Sequence, residues 1–266
     1  MRTIAFAAAL LLSPALAAVA QTPTPDKVVT AAIADPAREP ADRARDRYRH
    51  PAETLAFFGV KPGQTVVEYM PGGGWYADIL APMLKGNGRY VALVPDRPQV
   101  VEGATKLLAD KARMGETTLG TLDAAAGTST VPAGSADVLL TFRNVHNLIM
   151  AGQPAAEGAF RAFFAALKPG GTLGVVDHRL PEEADSAREK TSGYLKRSTI
   201  VRLAEQAGFR LAAESNVNAN PKDTHDWPDG VWTLPPTLRK GEVDKAKYQA
   251  IGESDRLTLK FVKPAA

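Results

Sequence analysis

The chain has 266 residues, 45% of them hydrophobic, and no cysteine. That length suits one sizeable core, since splitting into domains sets in beyond ~250–300 residues. The missing cysteine excludes disulfides, thiol catalysis, thiolate metal sites and a lipidated N-terminus. With 32 basic residues against 29 acidic, and the charges dispersed, no nucleic-acid partner is expected.

Residues 1–20 read as a signal peptide. Arg2 is the basic start, an apolar run follows, and Ala18-Val19-Ala20 before Gln21 has the A-x-A cleavage pattern. A membrane anchor is the weaker reading, because Pro14 interrupts the run and its span is marginal for the ~20 residues that cross a bilayer. Cleavage after Ala17 is a second option. The mature protein is therefore expected in the periplasm or secreted, with no membrane association after cleavage. Residues 21–35, rich in Thr, Pro and Ala, read as a flexible leader, and 36–266 as a single domain with an irregular insert at 217–254. The cluster "AREPADRARDRYRH", broken by Glu39, Asp42 and Asp46, reads as a solvated helix face.

In chain order, "PAETLAFFGV" predicts a helix opened by Pro51 and closed by Gly59. "KPGQ" is a type II turn and "TVVEYM" a short strand. After the glycines, "WYADILAPML" is helical and "RYVALV" is the second strand. "DRPQVVEGATKLLADKARM" is a helix with Pro98 near its start, and "TTLGTLD" a third strand. "SADVLLTF" is the continuous apolar run of a buried parallel strand. "AAEGAFRAFFAAL" is amphipathic, with Phe160, Phe163, Phe164 and Leu167 at helical spacing. A second turn, "KPGG", leads into the strand "TLGVVDH". A helix "STIVRLAEQAGF", a strand "RLAAESN" and a last alternating strand "RLTLKFVK" complete the pattern. Strands alternating with helices predict an α/β fold: a doubly wound, Rossmann-like, mostly parallel sheet with an antiparallel edge and helices on both faces. In such sheets ligands sit beyond the carboxyl ends of the strands. That nominates Glu68 to Trp75, Val94 to Asp96, Leu122-Asp123, Arg143 to Asn147, and Asp177 to Arg179.

This order, with "VVEYMPGGGW" after the first strand, "ADVLLTFRNVH" at the fourth and "LKPGGTLGVVD" at the fifth, resembles class I S-adenosylmethionine-dependent methyltransferases. The resemblance covers residues 50–215 and, loosely, the terminal strand. It implies S-adenosylmethionine as cofactor and methyl transfer to a small molecule as the reaction. It implies that Glu68 binds the ammonium of the methionine part, and that the backbone of Gly72, Gly73 and Gly74 approaches the cofactor. Met70 stands at the first glycine position, where its side chain either narrows the methionine slot or points away. The acidic position after the second strand falls on Val94, and Asp96, two residues on, is the substitute for the ribose hydroxyls. Asp123 faces the adenine amino group or is a solvated loop residue.

Methyl transfer requires a nucleophile placed in line, desolvated and relieved of a proton. "FRNVHN" puts Arg143, Asn144 and His146 at the mouth of the fourth strand, where this family holds substrate-positioning and catalytic groups. Arg143 suits a carboxylate or phosphate, through its bidentate fork. His146 is the candidate general base, its ordinary pKa being near ~6.5. The competing reading is that Asn144 and His146 cap the next helix. His178, at the end of the fifth strand, reaches the same cleft. Arg179, like Arg143, hints at an anionic acceptor. Tyr194 reads as a surface residue, and Trp227 and Trp232 either wall off substrate or pin the insert to the core. With no H-E-x-x-H, no histidine pair at i, i+4 and no calcium-loop pattern, no metal is expected. Two other readings stay open: a small-molecule binding module on the same fold, favoured by Met70 and Val94, and a different reaction in the same pocket, run by His146, His178 and Arg143.

Overall fold

The computed structural model describes residues 23–265, so the signal-peptide reading of 1–20 lies outside the described residues. Four short helices, α1 (Lys27–Ile33), α2 (Pro40–Arg43), α3 (Asp46–Arg49) and α4 (Pro51–Phe58), lead into β1 (Thr65–Tyr69). Then come α5 (Ala77–Leu84), β2 (Arg89–Pro95), α6 (Pro98–Leu107), α7 (Lys111–Met114), β3 (Thr117–Asp123) and β4 (Thr128–Ser129). The second half runs β5 (Ala136–Phe142), α8 (Val145–Ala151), α9 (Gln153–Ala166), β6 (Leu167–Leu180), β7 (Leu195–Lys196), α10 (Arg197–Gln206), β8 (Arg210–Ser215), α11 (Lys245–Ile251) and β9 (Arg256–Val262).

The sheet order is β4-β3-β2-β1-β5-β6-β9-β8, with β7 paired to β6. Strands β3, β2, β1, β5 and β6 are mutually parallel. They include the sequence's continuous apolar runs, as burial on both faces requires. β9 runs antiparallel to both β6 and β8, so the reversed strand lies one place in from the edge. Strand order reverses between β1 and β5, and such a reversal opens a crevice beyond the two strand ends. Alternation along β1 sends Val67 and Tyr69 to one face, where Phe160, Phe163, Ile200 and Leu203 of α9 and α10 close one core. Val66 faces the other core, with Phe57, Phe58, Ile79 and Leu80 of α4 and α5. Each buried side chain of this size contributes roughly 1.5–3 kcal/mol. No helix of the described residues is long and apolar enough to cross a membrane.

The segment read as a flexible leader contains α1. Asp26 caps it, accepting from Val28 N at 2.7 Å, and Val29 is buried in the core beneath α5. The helix read across "DRPQVVEGATKLLADKARM" is two helices, because Asp110 accepts from Arg113 N and starts a new one. The insert at 217–254 is irregular except for a 3-10 turn, Gly230–Thr233, and α11. The basic cluster is not a solvated face: Arg38 and Arg49 are each 1% exposed. Arg38 pairs with Asp46 through two bonds of 2.9 Å, and its guanidinium lies over Trp75.

Candidate active site

Two cavities open beyond the carboxyl ends of the strands, on either side of Met70. The larger, about 720 Å³, lies over β2 and β3 and is lined by Asp96, Arg97, Asp123 and Ala124. The smaller, about 340 Å³, lies over β1, β5 and β6 and is lined by Glu68, Gly72, Gly73, Arg143, His146 and His178. Met70, Asn144 and Asn147 line both. Both volumes fall in the usual range for small-molecule sites, ~300–1,000 Å³.

The glycine loop keeps the backbone shape that its sequence put in doubt. Met70 has φ 54°, the left-handed conformation that glycine adopts freely, and its N donates to Leu93 O at 2.9 Å. A non-glycine residue held there costs on the order of 1–3 kcal/mol. Asn144 helps to hold it: the Asn144 amide donates to the carbonyls of Tyr69 at 3.0 Å and Met70 at 3.3 Å. Its NH2 also lies 3.2 Å from the Phe142 carbonyl, tying β5 to the end of β1. Gly72 and Gly73 present open backbone, with nothing within 4 Å of where a Cβ would stand. Gly74 lines neither cavity. A Cβ there would overlap Leu107 of α6, so this glycine serves close packing.

Glu68 is 2% exposed and accepts from the Tyr90 hydroxyl at 2.6 Å. Burial is the main influence on its carboxyl and pushes it up to about 7, against the opposing effect of the Tyr90 bond. A buried carboxylate of this kind is relieved by a cation placed against it. Val94 is buried, whereas Asp96 stands exposed in the larger cavity, as does Asp123, whose Oδ1 is occupied by Ala126 N at 2.9 Å.

His146 is 4% exposed and its Nδ1 lies 2.8 Å from Asp177 Oδ1. The Asp177 carboxylate is fully buried and also accepts from the backbone N of Val145 at 2.7 Å, His146 at 3.2 Å and His178 at 2.8 Å. Asp177 on β6 therefore caps α8, and the reading that Asn144 or His146 supplies that cap is replaced: Asn144 makes no capping bond. With the carboxylate acting as acceptor, Nδ1 carries the proton, which in the neutral imidazole leaves the lone pair on Nε2. His178, its ring 5.1 Å from that of His146, meets the Ser254 hydroxyl at 2.5 Å through Nδ1. Burial, then His146 and Arg143, hold His178 well below its ordinary value, so it is neutral. His146, Asp177 and His178 place three donor atoms within 4.8 Å of one another. Both Asp177 oxygens already take N–H donors, which favours a dyad over a metal ligand set.

Arg143 sits at φ 62° at the end of β5, its N donating to Val176 O at 2.6 Å, and lines the smaller cavity. Arg179 does not join it: its Nε is 3.0 Å from Asp255 and its NH2 donates to Arg256 O. Tyr194 is fully buried, donating to Asp223 at 2.9 and 3.0 Å, and burial with Asp223 pushes its phenol well up. The two tryptophans divide the roles expected of them. Trp227 pins the insert by packing against the cluster of Leu180 and Tyr194, and donates within the insert to Asp223 at 2.7 Å, while Trp232 lines the cavity with its ring 6.2 Å from His146.

Sequence reasoning missed Arg45, Arg49 and Glu253, all of which line the smaller cavity. Arg45 and Arg49 meet Glu253 at 2.8 and 3.1 Å, as does Arg256 at 2.6 Å. Burial raises the Glu253 carboxyl, but Arg256, Arg49, Arg45 and Arg143 together outweigh it and hold it at about 2. The available signal was the alternation of acids and arginines in "DRARDRYRH", which is also what a solvated face shows.

No family model and no curated protein matches the chain in sequence. Solved structures do match in shape. A SAM-dependent methyltransferase from Aquifex aeolicus superposes with a TM-score of 0.57 at 16% identity, over 85% of this chain and 94% of that one. An arsenic(III) S-adenosylmethionine methyltransferase from Chlamydomonas reinhardtii gives 0.54 at 15%, over 91% of this chain and 75% of its own. The 4+2 cyclase SpnF gives 0.56 at 15%, over 85% and 82%. The chain has the Rossmann-like fold that these methyltransferases share.

Proposed function

We propose that the protein is an exported S-adenosylmethionine-dependent methyltransferase acting on a small molecule. The observation that carries the reading is the His146–Asp177 dyad, set beside an open glycine loop at the switch point of a methyltransferase-type sheet. The residues present fit the cofactor. Gly72 and Gly73 offer a cradle that a Cβ would fill, Glu68 is a buried carboxylate suited to an ammonium, and Asp96 and Asp123 offer acceptors for ribose hydroxyls and an adenine amine.

S-adenosylmethionine supplies a methyl group on a sulfonium that is already electrophilic. The chain's residues position and desolvate the acceptor. His146 Nε2, held by Asp177 through Nδ1, would take the acceptor's proton. Neutral His178 and the Trp232 ring flank that imidazole. Asn144 holds the loop against the mouth of β5.

Calorimetric titration with S-adenosylmethionine and S-adenosylhomocysteine tests the reading, and absence of binding to both overturns it. Where an acceptor panel yields S-adenosylhomocysteine, His146→Ala should keep cofactor affinity and lose roughly 10²–10⁴-fold in turnover. Export rests on residues 1–20, and N-terminal sequencing of the mature protein should begin at Gln21 or Ala18.

A different reaction in the same pocket is the second reading. It rests on His146, His178 and Arg143, which line that pocket. The SpnF likeness places a cyclase on this fold. Binding of S-adenosylmethionine with no methylated product from any acceptor would support it.

A further inference from the structure

The inner end of the smaller cavity holds more cationic hydrogen-bonding capacity than the protein uses. Arg45 and Arg49 come from the arm before the first strand, Arg143 from the end of β5, and Arg256 stands behind them at the start of β9. Glu253 is the acid that faces them, and its two oxygens are shared among Arg45, Arg49 and Arg256. This leaves Arg45 Nη2, Arg49 Nη2 and Arg256 Nε buried without a partner among the described residues. Of the other acids at the cavity, Asp42 only approaches Arg45, at 3.8 Å, and Glu68 is engaged elsewhere, by the Tyr90 hydroxyl. The Arg143 guanidinium meets no carboxylate within ion-pair distance among the described residues. Buried donors left unsatisfied cost about 1–3 kcal/mol each, and more when charged.

We propose that Arg49 and Arg143 form the anion subsite for the methyl acceptor, gripping a carboxylate or phosphate on it while its nucleophilic atom faces His146. This rests on the methyltransferase reading for the word acceptor. Three features point to a built site. Arg49 is 1% exposed, anchored at Nε by Glu253 and laid over the Trp75 ring at 4.6 Å, which fixes the plane of its fork. Arg143 is held at a left-handed φ of 62°, a strained conformation of the kind found at functional sites. Burial, then Arg143, pull Arg49 down to about 9, and burial, then Arg256, pull Arg143 down to about 10, in both cases against the opposing Glu253; a bound anion relieves this crowding of cations. Arg143 precedes His146 by three residues, so the subsite and the base share one strand end. An anion there can also come from the cofactor's own carboxylate, and the experiment separates the two sources.

Inorganic phosphate and acetate are titrated calorimetrically into the full chain, free and saturated with S-adenosylhomocysteine, for wild type, Arg143→Met and Arg143→Lys. The wild type should bind at least one anion with S-adenosylhomocysteine present. Arg143→Met should weaken it roughly tenfold or more, Arg143→Lys should recover part of the loss, and S-adenosylhomocysteine affinity should change by less than about twofold in both. Blocking of anion binding by S-adenosylhomocysteine, or an equal loss of its affinity in Arg143→Met, would assign the arginines to the cofactor and overturn the proposal. So would absence of anion binding to the wild type, or binding that Arg143→Met leaves unchanged. If S-adenosylhomocysteine does not bind but phosphate does, in a manner that depends on Arg143, the cofactor reading falls and the anion subsite stands.

Discussion

Two neighbouring glycines in one loop, Gly73 and Gly74, have different reasons to be there. Gly73 has an ordinary φ and open space where a Cβ would stand. Gly73→Val should therefore change folding stability by under about 0.5 kcal/mol while filling the place where the cofactor approaches the backbone. Calorimetry should show S-adenosylhomocysteine affinity falling roughly tenfold or more, with the thermal midpoint unmoved. Gly74 has φ 89° and abuts Leu107. Gly74→Val should cost about 1–3 kcal/mol in urea unfolding, and any loss of binding should track the loss of fold. A Gly73→Val protein that binds as the wild type does would show that the cofactor, if any, lies elsewhere. At this scale the sequence was informative about position. The strand before the loop and the helix after it locate Glu68, Met70 and Gly72 at the cavity. It was silent on conformation: that Met70 adopts the glycine-like φ depends on Asn144, which reaches it from β5 in the folded chain.

The arm formed by α2 and α3 closes one side of the smaller cavity and is fastened by charge. Arg45 and Arg49 meet Glu253, Arg38 meets Asp46, and the Trp75 indole donates to Asp42 O at 3.0 Å. Removing one member of a buried ion cluster leaves the others uncompensated and costs about 3–5 kcal/mol. Glu253→Gln should lower the unfolding free energy by that amount, read as a lower urea midpoint at unchanged slope. It should also perturb Trp75 fluorescence, because Arg49 lies over that ring. A shift below about 1 kcal/mol would mean that the arm is held by Trp75 and Arg38 alone. Here lies the clearest limit of reading the chain by local pattern. Arg49 and Glu253 are 204 residues apart, so nothing near Arg49 marks it as buried. Tyr194 was misread for the same reason, its partner Asp223 lying 29 residues on. By contrast, β1, β5 and β6 were legible because a strand buried on both faces carries a near-continuous apolar run, such as Val66-Val67 in β1 and Val138 to Leu140 in β5.

Across the whole molecule, the cavity carries two buried carboxyls displaced in opposite directions from an ordinary value near 4.5, and together they shape how the fold responds to pH. Glu253 is held at about 2, so its contribution to stability is present above about 4.5 and is lost as pH falls toward 2. Glu68 is pushed up to about 7, so the folded state favours its protonated form. Its contribution is full below about 4.5 and is lost as pH rises through 7. These two groups favour a stability maximum on the acid side of neutral for the unliganded protein. Glu68→Gln keeps an acceptor for Tyr90 and removes the titration. The variant should therefore gain on the wild type as pH rises from about 4.5 to 7, by a difference on the order of 3 kcal/mol, read from urea unfolding at each pH. Cofactor binding should run the other way. A cationic ammonium set against Glu68 is best held when the carboxyl is ionised, so wild-type affinity for S-adenosylhomocysteine should rise as pH passes through about 7. Glu68→Gln should bind more weakly and lose that rise. The same side chain then destabilises the empty fold at neutral pH and tightens the loaded one. If stability and affinity showed the same pH trend, Glu68 would not be the group that faces the ammonium.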